Sequence, residues 1–186
     1  MSRLIVYPAS ADCAATPTLD TADGARMASA LAGYGVRFEQ HRLPANADTI
    51  DPPELLQEMT TTIDSLKAQF GYQSCDVVKV TPATPNITKA RAGFLAEHIH
   101  AEDECRLMIA GGGTFYLHLA DEVVQVDVTA GDLISVPAGA MHWFDMGPTP
   151  TFTALRLFTN PDGWVANFTG DAIALRFNLG DVAAAE

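Results

Sequence analysis

The chain has 186 residues, of which 48% are hydrophobic and 18% are charged. This balance is typical of a folded globule rather than a disordered segment, and the length fits one domain, residues 1–186, with a sizeable core. The net charge of −12 would repel phosphate backbones and anionic lipid surfaces, so we expect neither a nucleic-acid nor a membrane partner.

The cysteines and the N-terminus indicate a cytoplasmic location. Cys13, Cys75 and Cys105 are widely spaced and odd in number, which favours free thiols in a reducing compartment. The apolar run Leu4 to Tyr7 is too short for a signal peptide, and no stretch reaches the length of a membrane span. Because no exposed apolar strip is evident, we expect a monomer.

Short strands and helices are predicted over residues 1–92. Leu4 to Tyr7 is typical of a strand, and Asp20 or Thr21 would cap a helix that runs to about residue 32. Asp51 precedes two prolines and would cap a second helix that ends at Gly71. The apolar stripe of this second helix is Leu55, Met59, Ile63, Leu66 and Phe70. Further strands are expected at 36–40 and 76–80, and a short helix at 85–92.

From residue 94 to residue 158, apolar residues recur at every second position, and this alternation predicts β-strands. Turns are expected at 111–113, 120–122, 130–131 and 138–139. Strands at this spacing predict a β-barrel over residues 93–158, followed by a tail, residues 159–186, that packs back on it. The predicted fold class is therefore mainly β with helices (α+β).

Two segments of the barrel carry histidines at ligand spacing. His98 and His100 are two residues apart, so they project from the same face of a strand, and Glu104 follows after a tight turn. A second strand–turn–strand unit, beginning at Gly131, ends in His142. Two imidazoles and a carboxylate form the facial triad of non-haem Fe(II) enzymes. The sequence therefore predicts that these three histidines and Glu104 bind one metal ion.

The remaining two histidines have no second ligand-type residue at a suitable distance. His118 lies mid-strand between apolar residues, which favours a hydrogen-bonded structural histidine. His41 follows a short strand and is expected at the surface.

Strand parity also predicts the surroundings of the metal. Arg106 and Phe144 each lie two residues after a predicted ligand, and Arg156 could point inward from the next strand. Four protein ligands leave about two of six octahedral positions for a chelating substrate. A metal ion and two arginines would suit a small dianion whose apolar end rests on aromatic rings. Alternatively, Arg156 pairs with a carboxylate of the core.

The two histidine segments resemble the paired motifs of cupins. G-x4-H-x-H-x3-E-x6-G runs from Gly93 to Gly111, and G-x5-P-x-G-x2-H runs from Gly131 to His142. The first gap has four residues rather than the usual five, and Met146 replaces a frequent Asn, but neither departure affects a predicted ligand. The resemblance implies a double-stranded β-helix barrel with the N-terminal helices packed outside it.

Longer segments resemble the acireductone dioxygenase family of methionine salvage. They are E-H-I-H-A-E-D-E-C-R from residue 97, D-L-I-S-V-P from residue 132, H-W-F-D-M-G from residue 142 and N-P-D-G-W from residue 160. Residues 35–39, 71–77 and 168–171 extend the resemblance over most of the chain. Cys75 stands where this family more often has Trp.

The resemblance implies an oxidoreductase that cleaves the ene-diol 1,2-dihydroxy-5-(methylthio)pent-1-en-3-one with O2. In the family, Fe(II) gives formate and 4-methylthio-2-oxobutanoate, whereas Ni(II) gives formate, carbon monoxide and 3-(methylthio)propanoate. One Fe(II) or Ni(II) ion per chain would be held by His98, His100, Glu104 and His142.

The resemblance also implies roles for neighbouring residues. Arg106 matches a residue linked to forming the substrate dianion, and Glu97 matches one linked to metal incorporation. Asp103 matches a residue with base or conformational roles, although an aspartate in a turn can equally cap that turn. The residues that match the family's substrate pocket are Phe94, Phe144, Arg156 and Trp164.

Two alternatives remain. One is a cupin dioxygenase acting on a thiol or a flavonoid, although the paired arginines and short loops do not suit a planar polycyclic substrate. The other is a metal-containing cupin that only binds a ligand, as a sensor module does. Consumption of O2 with an acireductone by the Fe-loaded protein would distinguish acireductone cleavage from both alternatives.

Overall fold

The computed structural model describes residues 1–160 and 164–177, so the N-P-D-G-W segment lies partly outside the described residues. The strands are β1 Arg3–Pro8, β2 Leu19–Thr21, β3 Arg37–Gln40, β4 Ser74–Val80, β5 His98–Ile99, β6 Glu104–Leu119, β7 Glu122–Thr129, β8 Asp132–Val136, β9 Met141–Asp145, β10 Phe152–Phe158 and β11 Asn167–Phe168. The helices are α1 Gly24–Ala32, α2 Pro52–Glu58, α3 Thr60–Phe70 and α4 Ile87–Phe94, and a 3-10 turn covers Ile173–Arg176.

Two antiparallel sheets share the long strand β6. The first half of β6 pairs with β8 and β10, which are flanked by β3 and β4. The second half pairs with β7 and β9, in a sheet that extends to β1 and β2 on one side and to β5 and β11 on the other. A core that includes Met108, Phe115, Ile134 and Phe144 is buried inside this arrangement. The expected α+β cupin architecture is confirmed.

The glycines at 111–113 do not form the predicted turn, because they lie inside β6 where it passes from one sheet to the other. Gly111 has a φ of +67°, and a Cβ there would lie 2.0 Å from the carbonyl oxygen of Thr151. A Cβ on Gly112 would lie 2.3 Å from the carbonyl oxygen of Val128. The glycines therefore permit close approach of neighbouring backbones instead of reversing the chain.

The helical region at 51–71 packs on the outer face of the first sheet. Asp51 caps α2 and Gly71 ends α3 in the left-handed conformation, as predicted. The single predicted helix is nevertheless broken at Met59, whose φ of −90° and ψ of 4° depart from helical values. The break lets both apolar stripes reach one cluster with strands β6, β8 and β10.

The predicted cap of the first helix is wrong. Asp23 caps α1 by accepting a hydrogen bond from the Arg26 amide. Asp20 and Thr21 belong to β2, which pairs with β1. Because these residues pair with β1 in an edge strand, they are not part of the helix, which begins at Gly24.

Within the expected C-terminal tail, the described residues 164–177 contact the barrel. Strand β11 pairs with β5, and Ile173 and Phe177 pack with Trp143 and Tyr116 on the outer face of the second sheet. None of the described helices has the length and apolar character needed to cross a membrane.

Candidate metal centre

Strand pairing brings the predicted ligands to one end of the barrel. His98 on β5 lies directly opposite His142 on β9. Glu104 is the first residue of β6, next to β8, and His100 lies in the turn that joins β5 to β6. Four side chains from three strands and one turn therefore point to one place.

One potential ligand atom from each of these four side chains lies within 4.8 Å of the others. The Nε2 atoms of His100 and His142 are 3.0 and 3.2 Å from Glu104 Oε2. Two ligand atoms at a right angle around an ion, each about 2.1 Å away from it, lie about 3 Å apart. All four residues are buried in the protein.

Backbone carbonyls fix the imidazole tautomers. The Nδ1 atoms of His98, His100 and His142 lie 2.7, 2.9 and 2.9 Å from the carbonyl oxygens of Ala96, Val165 and Ala140. A carbonyl oxygen only accepts, so each Nδ1 carries the proton and each Nε2 presents a lone pair to the centre. Three lone pairs and a carboxylate oxygen at such distances suit a cation among them, and the residues fit a divalent metal ion.

The pKa shifts of His98 and Glu104 are consistent with this arrangement, whereas the pKa of His100 shifts in the direction that favours its protonated form. Burial lowers the pKa of His98, which keeps its imidazole neutral. Burial also opposes ionisation of Glu104, but Arg106 and the contacts with His100 and His142 outweigh it and hold the pKa of Glu104 well below its usual range. For His100, burial lowers the pKa, yet the contacts with Glu104 and Val165 leave that pKa raised.

Arg106 is buried beside the cluster. Its Nε lies 2.7 Å from Glu104 Oε1 but without the alignment of a hydrogen bond. The guanidinium carbon is 5.0 to 5.8 Å from the centres of four aromatic rings. These rings belong to Phe94, Phe115, Phe144 and Trp164. A charge held in apolar surroundings is weakly screened, so it acts strongly on an anion beside it.

Asp103 bridges the turn in which it lies to a second turn, at Ala138. Its Oδ1 accepts a hydrogen bond from the Ala138 amide at 2.9 Å, and its carbonyl oxygen accepts one from the Trp164 indole at 3.0 Å. Asp103 thereby ties together the turns that carry the two motifs and places the Trp164 ring against the site.

Glu97 is buried next to His98 in the chain and contacts other side chains. Its carboxylate is 2.7 Å from His118 Nδ1 and accepts a hydrogen bond of 2.5 Å from the Thr169 hydroxyl. His118 is thus a hydrogen-bonded structural histidine, as predicted, although its partner Glu97 was not anticipated. The pair connects β5, β6 and the segment after β11.

Arg156 lies directly opposite Arg106 in the sheet. It donates two hydrogen bonds, of 2.9 and 2.7 Å, to Asp76 on β4, so its charge is largely paired, although Asp76 is not a carboxylate of the core. Both members of this pair are partly exposed, with side chains 33% and 48% accessible. Phe144 is almost fully buried and packs on Phe115 and Phe152 behind Arg106.

A cavity of about 490 Å³ opens onto the cluster. It is lined by Asn86, Lys89, Ala90, Gly93, Phe94, His98, His100, Arg106, Arg156, Trp164, Ala166 and Phe168. Of the cavity residues on α4, the sequence predicted Phe94 but not Asn86, Lys89, Ala90 or Gly93, and it did not predict residues 166 and 168. The helical spacing of residues 86, 89, 90, 93 and 94 was a usable signal, because these positions share one helix face.

Comparison with known proteins assigns the family. The model of the ARD/ARD' family matches residues 30–166. The chain is 47% identical to an acireductone dioxygenase of Parvibaculum lavamentivorans over 95% of this chain and 96% of that protein. It is 52% identical to one of Alcanivorax borkumensis, over 84% and 87% of the two chains. The chain belongs to the acireductone dioxygenase family.

A solved structure supports the assignment. An acireductone dioxygenase from Bacillus anthracis, with a cadmium ion in its active centre, superposes with a TM-score of 0.79 at 26% identity. The match covers 90% of this chain and 98% of that chain. The family resemblance seen in the sequence is confirmed. Membership in the acireductone dioxygenase family disfavours the thiol, flavonoid and sensor alternatives.

Proposed function

We propose that the protein is a metal-dependent dioxygenase that cleaves the acireductone 1,2-dihydroxy-5-(methylthio)pent-1-en-3-one with O2 in methionine salvage. The observation that carries the proposal is the convergence of His98, His100, Glu104 and His142 beside a buried Arg106, in a chain of this family. A cavity of about 490 Å³ adjoins these residues and can admit a small substrate.

The proposed metal ligands are the three histidines and Glu104. A bound Fe(II) or Ni(II) ion, one per chain, would polarise the two neighbouring ene-diol oxygens and favour their deprotonation. The backbone carbonyls of residues 96, 140 and 165 hold the imidazoles in the ligating tautomer. Because this orientation is set in advance, little reorganisation accompanies metal binding.

Arg106 would stabilise the substrate dianion. Its guanidinium is fixed by Glu104 and by the surrounding aromatic rings, so it is oriented before the charge develops. Phe94 and Trp164 line the same cavity and would keep water away from the reacting oxygens. Arg156 contributes a weaker field, since Asp76 pairs with it.

Asp103 and Glu97 would act by positioning. Asp103 holds Trp164 and the Ala138 turn, which supports a conformational role rather than that of a base. Glu97 supports the strand of His98 through its contacts with His118 and Thr169, which fits the expected link to metal incorporation. Phe144 would form the floor behind Arg106.

The test reconstitutes metal-free protein separately with Fe(II) and with Ni(II), then measures O2 uptake and products with the acireductone. We expect formate from both samples, 4-methylthio-2-oxobutanoate from the iron protein, and carbon monoxide with 3-(methylthio)propanoate from the nickel protein. Protein that binds one ion per chain but consumes O2 no faster than the metal-free sample would overturn the proposal.

We further propose that residues 1–186 work as a single-domain monomer in the cytoplasm. The described cysteines are unpaired and at most partly exposed, which suits a reducing compartment. Size-exclusion chromatography with light scattering would test the monomer, and a mass of about two chains would contradict it.

A further inference from the structure

One face of α4 forms a wall of the metal cavity. Asn86 at its N-cap and Lys89, Ala90, Gly93 and Phe94 along the helix all line that cavity. The spacing of three or four residues places them on one side of the helix. The opposite side, which includes Thr88 and Ala92, faces a separate groove.

The cavity is closed at depth. Behind Arg106, Phe144 contacts Phe115 and Phe152 with ring centres 4.7 and 5.8 Å apart, and all three rings are almost fully buried. Interiors packed in this way hold few voids larger than a water molecule. A substrate whose polar end lies beside the metal ligands and Arg106 must therefore extend its other end outward, along α4.

The outward path is lined by unusually small residues. Ala90 and Gly93 are one helical turn apart, and Ala166 lines the same cavity. A Cβ on Gly93 would meet no atom within 4 Å, and the φ of Gly93 is not in the left-handed region. The backbone therefore does not require glycine here, although glycine weakens a helix relative to alanine. What the missing side chain provides is open space on the cavity side.

We infer that Ala90 and Gly93 determine how long an apolar tail the substrate can carry. This inference rests on the proposed acireductone cleavage and adds a specificity function to α4. Their small side chains leave room for an extended tail, whereas larger residues at either position would fill the path without touching the predicted metal ligands. Lys89 lines the same wall of the cavity.

The test compares Ala90→Leu and Gly93→Leu with Ala92→Leu. Ala92 is a matched control, because it is an exposed alanine on the opposite face of the same helix. Each protein is assayed with acireductones whose alkyl tails grow from methyl to hexyl. Metal content and thermal midpoint are measured for each variant, and anaerobic spectral titration gives the binding constant for each substrate.

We expect both cavity-face variants to lose about tenfold or more in kcat/KM and in affinity for the longest tail, since about two buried methylene groups are worth this factor. The loss should appear mainly in KM, and the methyl-tailed substrate should stay within about threefold. Ala92→Leu should follow the wild type at every length. Parallel losses at all tail lengths, or equal losses in Ala92→Leu, would overturn the inference. If the wild type consumes no O2 with any acireductone, the proposed function itself fails.

Discussion

At the scale of single residues, a substitution of Arg106 should lower turnover without lowering metal content. The guanidinium is not a predicted ligand, yet it lies against the ligand Glu104 in apolar surroundings. We expect Arg106→Ala to keep nearly full metal content and to lose about 100-fold or more in kcat, the scale found when a preorganised charge partner is removed. Metal analysis and O2-uptake kinetics measure both. The exposed Arg3, paired with Asp20, provides the control, because Arg3→Ala should leave both unchanged. Unaltered kinetics in Arg106→Ala would exclude the role.

A substitution of His142 should instead lower the metal content directly. Its Nε2 is 3.2 Å from Glu104 Oε2, and its Nδ1 is held by Ala140. His142→Ala should lose most of its bound metal after dialysis, because one of four ligands is removed. His41→Ala is the matched control, since the His41 side chain pairs with Glu39, outside the cluster. Full metal retention by His142→Ala would rule it out as a ligand.

At the scale of elements, β6 depends on glycines that the sequence pattern wrongly assigned to a turn. Gly111→Ala should lower the free energy of unfolding by more than about 2 kcal/mol, because it combines a positive φ with a steric clash. Gly71→Ala tests the φ contribution alone, since Gly71 has a φ of +76° and a Cβ added there would meet no atom within 4 Å. It should cost about 1 kcal/mol. Urea unfolding measures the free energy of unfolding of both variants. Equal losses of stability in the two would contradict a steric clash at position 111.

Local signals predicted some elements well and others poorly. Asp51 and Gly71 mark helix ends because capping depends on residues close in sequence. The H-x-H pair was informative because both imidazoles reach the metal centre, although only His98 lies in a strand and His100 lies in the turn after it. The break at Met59 and the bend at Gly111 follow from packing against distant strands, and periodicity carries no such information. The Arg156–Asp76 pair likewise joins residues 80 apart in the chain.

At the scale of the whole molecule, the metal should stabilise the fold. The ligands come from β5, β6, β9 and the turn after β5, so an ion binds the folded chain far better than the unfolded one. At a free metal concentration about 100 times the dissociation constant, metal binding should raise the free energy of unfolding by about 2.7 kcal/mol. Thermal unfolding with and without a chelator should show a lower midpoint for the metal-free protein. The unfolding midpoint of His142→Ala should not change when metal is added. A wild-type midpoint that also does not change would contradict stabilisation of the fold by the metal.

The sequence was enough to predict the family, the barrel and the four convergent side chains, because the family resemblance depends on short motifs with fixed spacing. It predicted Phe94 as a pocket residue but not the rest of the wall formed by α4, since residues 85–92 were interpreted only as a short helix that leads to the metal motif. Nor did it predict the partners of Glu97. Those contacts depend on how β11 and the following residues return to β5.

The central claim is that His98, His100, Glu104 and His142 hold one divalent ion. X-ray absorption at the metal K edge, on wild-type protein carrying one Ni(II) per chain, tests it most directly. The predicted result is a first shell of nitrogen and oxygen atoms about 2.1 Å from the metal, with outer-shell scattering from three imidazoles. Sulfur in the first shell, or scattering from fewer than three imidazoles, would contradict it.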